Sequence, residues 1–275
     1  MPLDASIDSF HLQRQPVQGR SALGVKLIAL LLITGIIAGL LTVEACAQSI
    51  VVYPTRPEPK FESSSFCPPG GNESKGADAD LNKKKNRIDP APEYYPYRSI
   101  GLIKMQTLEY PEEIGKRKRD EWTAEQRRIV AEYEGIPVWV EGYLALTSVK
   151  KNESVGAKLS AGGSWNCGRT DEAHVDYVLW LKSTSNESKA KAIVAVMTPR
   201  IRAHQRYWTI QNLTRIAKGR YRVRIYGWLM LDQEHPEQVG KSRATLWEIH
   251  PITQIDYQEH GEWKHLEFRE PSPPE

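Results

Sequence analysis

Histidines and carboxylates gather at three places in the second half of the chain. Asp171, His174 and Asp176 fall together, Asp232 precedes His235 by three residues, and Glu248 stands two before His250. Two residues apart on a strand means one shared face. Imidazole with carboxylate suits Zn²⁺, Mn²⁺ or Fe²⁺, and carboxylate alone suits Ca²⁺ or Mg²⁺. Asp176, Asp232, His235, Glu248 and His250 are therefore candidate ligands of a divalent metal. A Lewis acid there would activate water against a phosphodiester or an ester. The spacings include no H-x-x-x-H pair and no structural-zinc framework. The same residues also have an ordinary use: His250, before Pro251, can satisfy a loop carbonyl, and Glu248 can pair with Arg243.

A second constellation is basic and aromatic. Arg200, Arg202, Arg206, Arg215, Lys218, Arg220, Arg222 and Arg224 fall within residues 200–224, which hold no acidic residue. Tyr207, Trp208, Tyr221, Tyr226 and Trp228 are interleaved with them or follow closely. Arg222, Arg224, Tyr226 and Trp228 recur every second residue, so a strand would present them on one face as a candidate surface for an anionic ligand. A solvated basic face paired with Glu141, Asp232 and Glu248 is the alternative. Trp139, Tyr143 and Trp165 are candidates for contact with another protein. There is no G-x-S-x-G elbow, P-loop or G-x-G-x-x-G turn.

These residues sit in segments with β periodicity. Val138, Val140, Gly142, Leu144 and Leu146 alternate with Trp139, Glu141 and Tyr143. Further strands are expected at Asp176 to Lys182, Ala190 to Thr198, Tyr221 to Leu231 and Thr245 to Asp256, with a bend or edge at Pro251. A helix is expected over His204 to Lys218, stopped by Gly219. Three strands, a helix and two strands is the chain order of an OB-fold, a five-stranded Greek-key barrel with its helix between strands three and four. Residues 136–258 are read as this OB-like β domain. Its first loop is Lys151 to Val175 and its last Gln233 to Arg243, and in that fold such loops flank the ligand. In a hairpin of strands four and five, Glu248 and His250 should lie opposite residues well before Asp232.

Upstream, residues 98–135 form a partly helical connecting segment, with Thr123 and Gln126 as a loose capping box and Gly135 as the stop. Residues 44–97 read as a disordered linker broken by prolines, and the basic run Lys83 to Lys85 with Arg87 reads as a solvated tether. Residues 259–275 are a charged, Pro-rich tail expected to fray.

The first 26 residues carry Arg14, Arg20 and Lys26, and residues 27–43 are 17 consecutive uncharged, mostly apolar positions. That length is short for a spanning helix and long for a signal-peptide core. The basic flank holds the N-terminus in the cytoplasm and exports the rest. Three outcomes stay open: a single-pass inner-membrane anchor, cleavage near Ala47, or lipidation at Cys46 after Val43-Glu44-Ala45. Export disfavours nucleic acid as a partner. It leaves the membrane through residues 27–43, an anionic ligand, or another envelope protein. Three cysteines cannot staple 275 residues, but in an oxidising space Cys67 and Cys167 can pair. A net charge of +3 names no partner, and 40% hydrophobic with 26% charged residues excludes a wholly disordered chain and a polytopic membrane protein.

The pieces EGYL (Glu141 to Leu144), NCGRTDEAHVDYVLWL (Asn166 to Leu181), GWLMLDQEH (Gly227 to His235) and ATLWEIHPIT (Ala244 to Thr253) resemble a group of bacterial exported proteins with an OB-like domain. LNKKKNR (Leu81 to Arg87) resembles a short upstream segment of the same group. The resemblance implies an OB fold and export and carries no mechanism. It further implies a histidine two residues after the strand-two aspartate and an acid in strand three, where this chain has Val178 and Val196. Together these observations predict an exported or membrane-tethered OB-like binding module of the cell envelope. The alternative is a metal-dependent hydrolase on the same barrel.

Overall fold

The computed structural model describes residues 55–62, 67–72, 78–111, 113–116, 118–149, 152–155, 158–160 and 164–266. In chain order the helices and strands are α1 (Ala79–Lys85), β1 (Arg98–Ser99), α2 (Leu102–Gln106), α3 (Ala124–Tyr133), β2 (Pro137–Leu144), β3 (Leu146–Val149), β4 (Asn152–Val155), β5 (Lys158–Ser160), β6 (Asp176–Lys182), β7 (Ile193–Met197), α4 (Pro199–Arg202), α5 (Ile210–Lys218), β8 (Arg222–Leu231), β9 (Trp247–Glu259) and β10 (Glu262–His265). Short 3₁₀ turns join several of them.

Five strands close into a barrel in the order β2–β8–β9–β7–β6 and back to β2. All neighbours are antiparallel except β7 and β9. The alternation that marked these strands decides which side chains fill the barrel. Val138 and Val140, Leu179 and Leu181, Ile193 and Ala195, Val223 and Ile225, and Ile249 and Ile255 belong to one buried cluster. Each fully buried aliphatic side chain contributes about 1.5–3 kcal/mol relative to exposure. Helices α4 and α5 lie between β7 and β8, and Leu213 and Ile216 of α5 are fully buried. The helix proper begins at Ile210 rather than His204, because Thr209 caps it by accepting from the Asn212 N–H at 3.2 Å.

Pro251 marks a bulge. The β8–β9 register shifts between Tyr226 and Leu229, where a Cβ on Gly227 would come within 2.3 Å of the Pro251 carbonyl oxygen. The first expected strand is broken: β2 stops at Leu144, and its remainder, β3, pairs with β4 of the first loop in a separate two-stranded sheet. The capping box at Thr123 and Gln126 is present in both directions, 3.2 and 2.9 Å. Gly135 ends α3 with φ +80°.

Two expectations for the flanks are corrected. Residues 78–97 are not a solvated linker: Leu81, Asn82, Lys85, Asn86, Arg87, Asp89 and Tyr95 are buried. Asp78 caps α1 through the Asp80 and Leu81 N–H groups, and Cys67 is disulfide-bonded to Cys167. Prolines here shape a packed extended segment rather than a loose one. The tail does not fray from 259 on. Strand β9 runs to Glu259, β10 pairs with it, and Leu266 is buried. Residues 27–43, Cys46 and Ala47 lie outside the described residues, and no helix among the described residues is long and apolar enough to cross a membrane.

Candidate functional site

The alternation that fills the barrel also leaves a second set of side chains on its outside. Val178 and Trp180 of β6 and Val194 and Val196 of β7 point away from the interior and form their own small cluster with Ala145 and Ala192. Glu248 and His250 of β9 continue this face, because β7 and β9 pair in parallel with Val194 opposite Glu248. A partly open cavity of about 70 Å³ lies here. Trp165 from the loop before β6 lines it, as do Asp232, His235, Gln238 and Arg243 from the loop after β8. Lys85 from the end of α1 completes the lining.

All five proposed metal ligands border this one cavity. Glu248 lies opposite Met230, two residues before Asp232 rather than well before it, and the loop after β8 folds back with a bridge between Val239 and Arg243. The metal assignment nevertheless fails on charge. Arg243, 1% exposed, sits between the acids. Its guanidinium bonds Asp232 and Glu248 (3.2 Å to the latter) and the Thr245 and Leu246 carbonyls. His235 donates from Nδ1 to Asp232 at 2.9 Å, and His250 from Nδ1 to Glu248 at 3.0 Å. Asp176 accepts from the Trp165 indole at 2.5 Å and from Asn166 at 3.0 Å. Cations and N–H donors already occupy the oxygens that a metal would need. Among the described residues no three His, Cys, Asp or Glu side chains are placed to hold one. The Glu248–Arg243 pair suggested by the sequence is present.

The electrostatics follow from burial. Burial pushes the Asp232 carboxyl up, but the His235 hydrogen bond and the charges of Arg243 and Lys85 outweigh it and hold it well below the carboxylate range. The bond to Asp232 raises His235 against the opposing effect of burial. Burial works against the Lys85 ammonium too, yet Asp232, Glu234 and Glu248 more than compensate, so its pKa is raised. Lys85 stands 4.2 Å from the Trp165 ring centroid and 3.8 Å from the Glu234 carboxylate. Its helical spacing from Leu81 was the one sequence sign that it faces inward. Trp180 carried no sign beyond its place in a strand.

The basic–aromatic surface is only partly assembled. Arg222 is half exposed and pairs with Glu141 at 2.6 Å. Arg224 also bonds Glu141, and Tyr226 lies half-buried against Tyr97 and Trp139. Trp228 does not join them. It is fully buried, donates to the Asp89 carbonyl at 3.0 Å and is covered by Arg87, whose guanidinium carbon lies 3.2 Å from the ring centroid. The alternation was right, but the upstream segment covers that end of the strand. Trp165 is buried rather than available to a partner protein, whereas Trp139 and Tyr143 are half-buried on the outside of β2. Asp171 and His174 form an exposed pair that does not line the cavity.

Compared with protein-family models, curated proteins and solved structures, the chain matches none.

Proposed function

We propose that this chain is a binding module of OB type, exported or held at the membrane of the cell envelope, that takes its ligand at the cavity outside β6, β7 and β9. One observation carries this: the cavity lies on the barrel's second and third strands, between the first and last inter-strand loops. That is where five-stranded barrels of this chain order bind their ligands. A mixed wall, apolar on the strands and polar on the loops, is the usual composition of a small-molecule site. Val178 and Val196, the two positions where the resemblance implies polar residues, are direct cross-strand partners on this wall. The apolar segment at residues 27–43 and the Cys67–Cys167 bridge support export. Binding without chemistry is favoured over metal-assisted hydrolysis because the acids are already paired.

The experiment is saturation-transfer NMR of the full chain in detergent against a mixture of small polar and apolar compounds, repeated with Val196→Phe. The new ring should fill the cavity. Binders lost in that variant support this site, and binders unaffected by it place recognition elsewhere.

A further inference from the structure

If the cavity is the ligand site, the polar groups left without partners describe what enters it. Every carboxylate on its wall already holds two donors. Beside the half-buried His235 ring and Gln238 amide, three more enclosed groups remain. The Lys85 ammonium is buried and, among the described residues, has only an ion pair at 3.8 Å and an aromatic face. The Trp180 indole N–H is buried with no acceptor. His250 is 1% exposed and must carry a proton on Nδ1, because the Glu248 carboxylate it meets can only accept. Its Nε2 is buried with no hydrogen-bond partner.

A buried polar atom without a partner is costly, so this set calls for a complement. Lys85 and Trp180 ask for acceptor oxygens, best an anion. His250 asks for one hydroxyl. The remaining wall, Val178, Val194 and Val196, accepts only a short aliphatic part. Size limits the rest: at about 10–15 Å³ per water-sized occupant, a space of about 70 Å³ holds roughly five such groups.

We infer that the cavity takes a small hydroxy-carboxylate, free or as the acid end of a longer sugar acid, with its carboxylate on Lys85 and Trp180 and its hydroxyl on His250. The inference rests on the cavity being the binding site, and its test separates the two.

Calorimetry on the full chain in detergent compares lactate with propionate, which lacks the hydroxyl, propylene glycol, which lacks the carboxylate, and gluconate, which extends the acid. Lactate should bind roughly tenfold or more tightly than propionate or propylene glycol. Lys85→Met should bring lactate down to the level of propylene glycol and leave the latter unchanged. Trp180→Phe, which keeps an aromatic ring and deletes only the N–H donor, should weaken lactate in the same selective way and serves if Lys85→Met does not fold. Gluconate tighter than lactate assigns the longer molecule, and the reverse assigns the free acid. Propylene glycol or propionate binding as well as lactate overturns the hydroxy-carboxylate while leaving the cavity as a ligand site. If none of the four binds, the hydroxy-carboxylate is overturned and the cavity is still judged by the compound mixture; binding that survives Val196→Phe overturns the cavity itself as the site.

Discussion

On the outside of β8, Arg224 lies between the rings of Trp139 and Trp263, 4.5 and 4.2 Å from their centroids, and bonds Glu141 across the β2–β8 ladder. On the outside of β6, β7 and β9, Arg243 joins Asp232 to Glu248 beside Lys85, His235 and His250. Both regions are an arginine, acids and indoles on one barrel surface. In the first, each named group has its partner, and Arg224 is only partly buried. In the second, the arginine is sealed, Trp180 and His250 keep a buried nitrogen without a partner, and Lys85 has only a long ion pair and a ring face, all around a space. Buried nitrogens without a partner also occur away from the cavity, at Trp122 and Trp208, so what distinguishes the second region is that its leftover groups border a space.

The difference sets an order of effects. Arg243→Met should be the most damaging change. It strands two buried carboxylates, and breaking such a network by removing one partner costs about 3–5 kcal/mol. Urea denaturation measures it, and a loss no greater than that of Arg224→Met would erase the contrast between the regions.

The Cys67–Cys167 bridge tests how the cavity side is held. It closes a separation of 100 residues and lies beside Trp165 and α1. Its double replacement by serine should cost about 2–5 kcal/mol. It should also expose Lys85 to amide-exchange and lysine-labelling reagents while leaving the Arg224 surface unchanged. Equal protection of Lys85 in both forms would show that packing alone holds α1.

Acid should loosen the same side by a different route. Burial pushes the Glu134 carboxyl up, but hydrogen bonds and charge from Arg119 and Lys84 prevail and hold it at about 2, against an ordinary 4.5. A carboxyl depressed in the fold stabilises above its unfolded pKa, and that stability is lost as pH falls from about 4.5 towards 2. The shift corresponds to about 3 kcal/mol, and Lys84 carries it to α1. Denaturation midpoints followed across that window should flatten in Glu134→Gln. An unchanged slope would remove Glu134 as the cause.

The smallest effect belongs to the first region. Glu141→Gln should cost no more than about 1 kcal/mol, as exposed and half-exposed pairs do. A larger loss in a thermal melt would mean that this surface is also a built network.

Much of the barrel was legible because its signal is local. Alternation at Val138 to Leu144, Asp176 to Lys182 and Tyr221 to Leu231 needs only neighbours two residues apart, and α5 follows a helical period that is equally local, whereas α4 was not expected. The candidate site was legible in part. Asp176, Asp232, His235, Glu248 and His250 do surround one space, and of the two readings open for them the pairing of Glu248 with Arg243 is present, but the second buried cation was not legible. Lys85 arrives from a helix some 90 residues before Asp176 in sequence. Trp228 shows the same limit in reverse: its strand position was right, and Arg87 from the upstream segment buries it.

By itself, the sequence determined the period of each strand, the face each side chain takes, the capping of α3 and the apolar N-terminal run. These follow from backbone geometry and from chemistry within a few residues. Only the tertiary structure decided that residues 78–97 pack instead of hanging free, that the acids meet Arg243 and Lys85 rather than a metal, and which polar atoms are left without a partner. Those outcomes depend on desolvation and on pairings between distant segments, and a buried charge is defined by whatever the rest of the chain brings beside it.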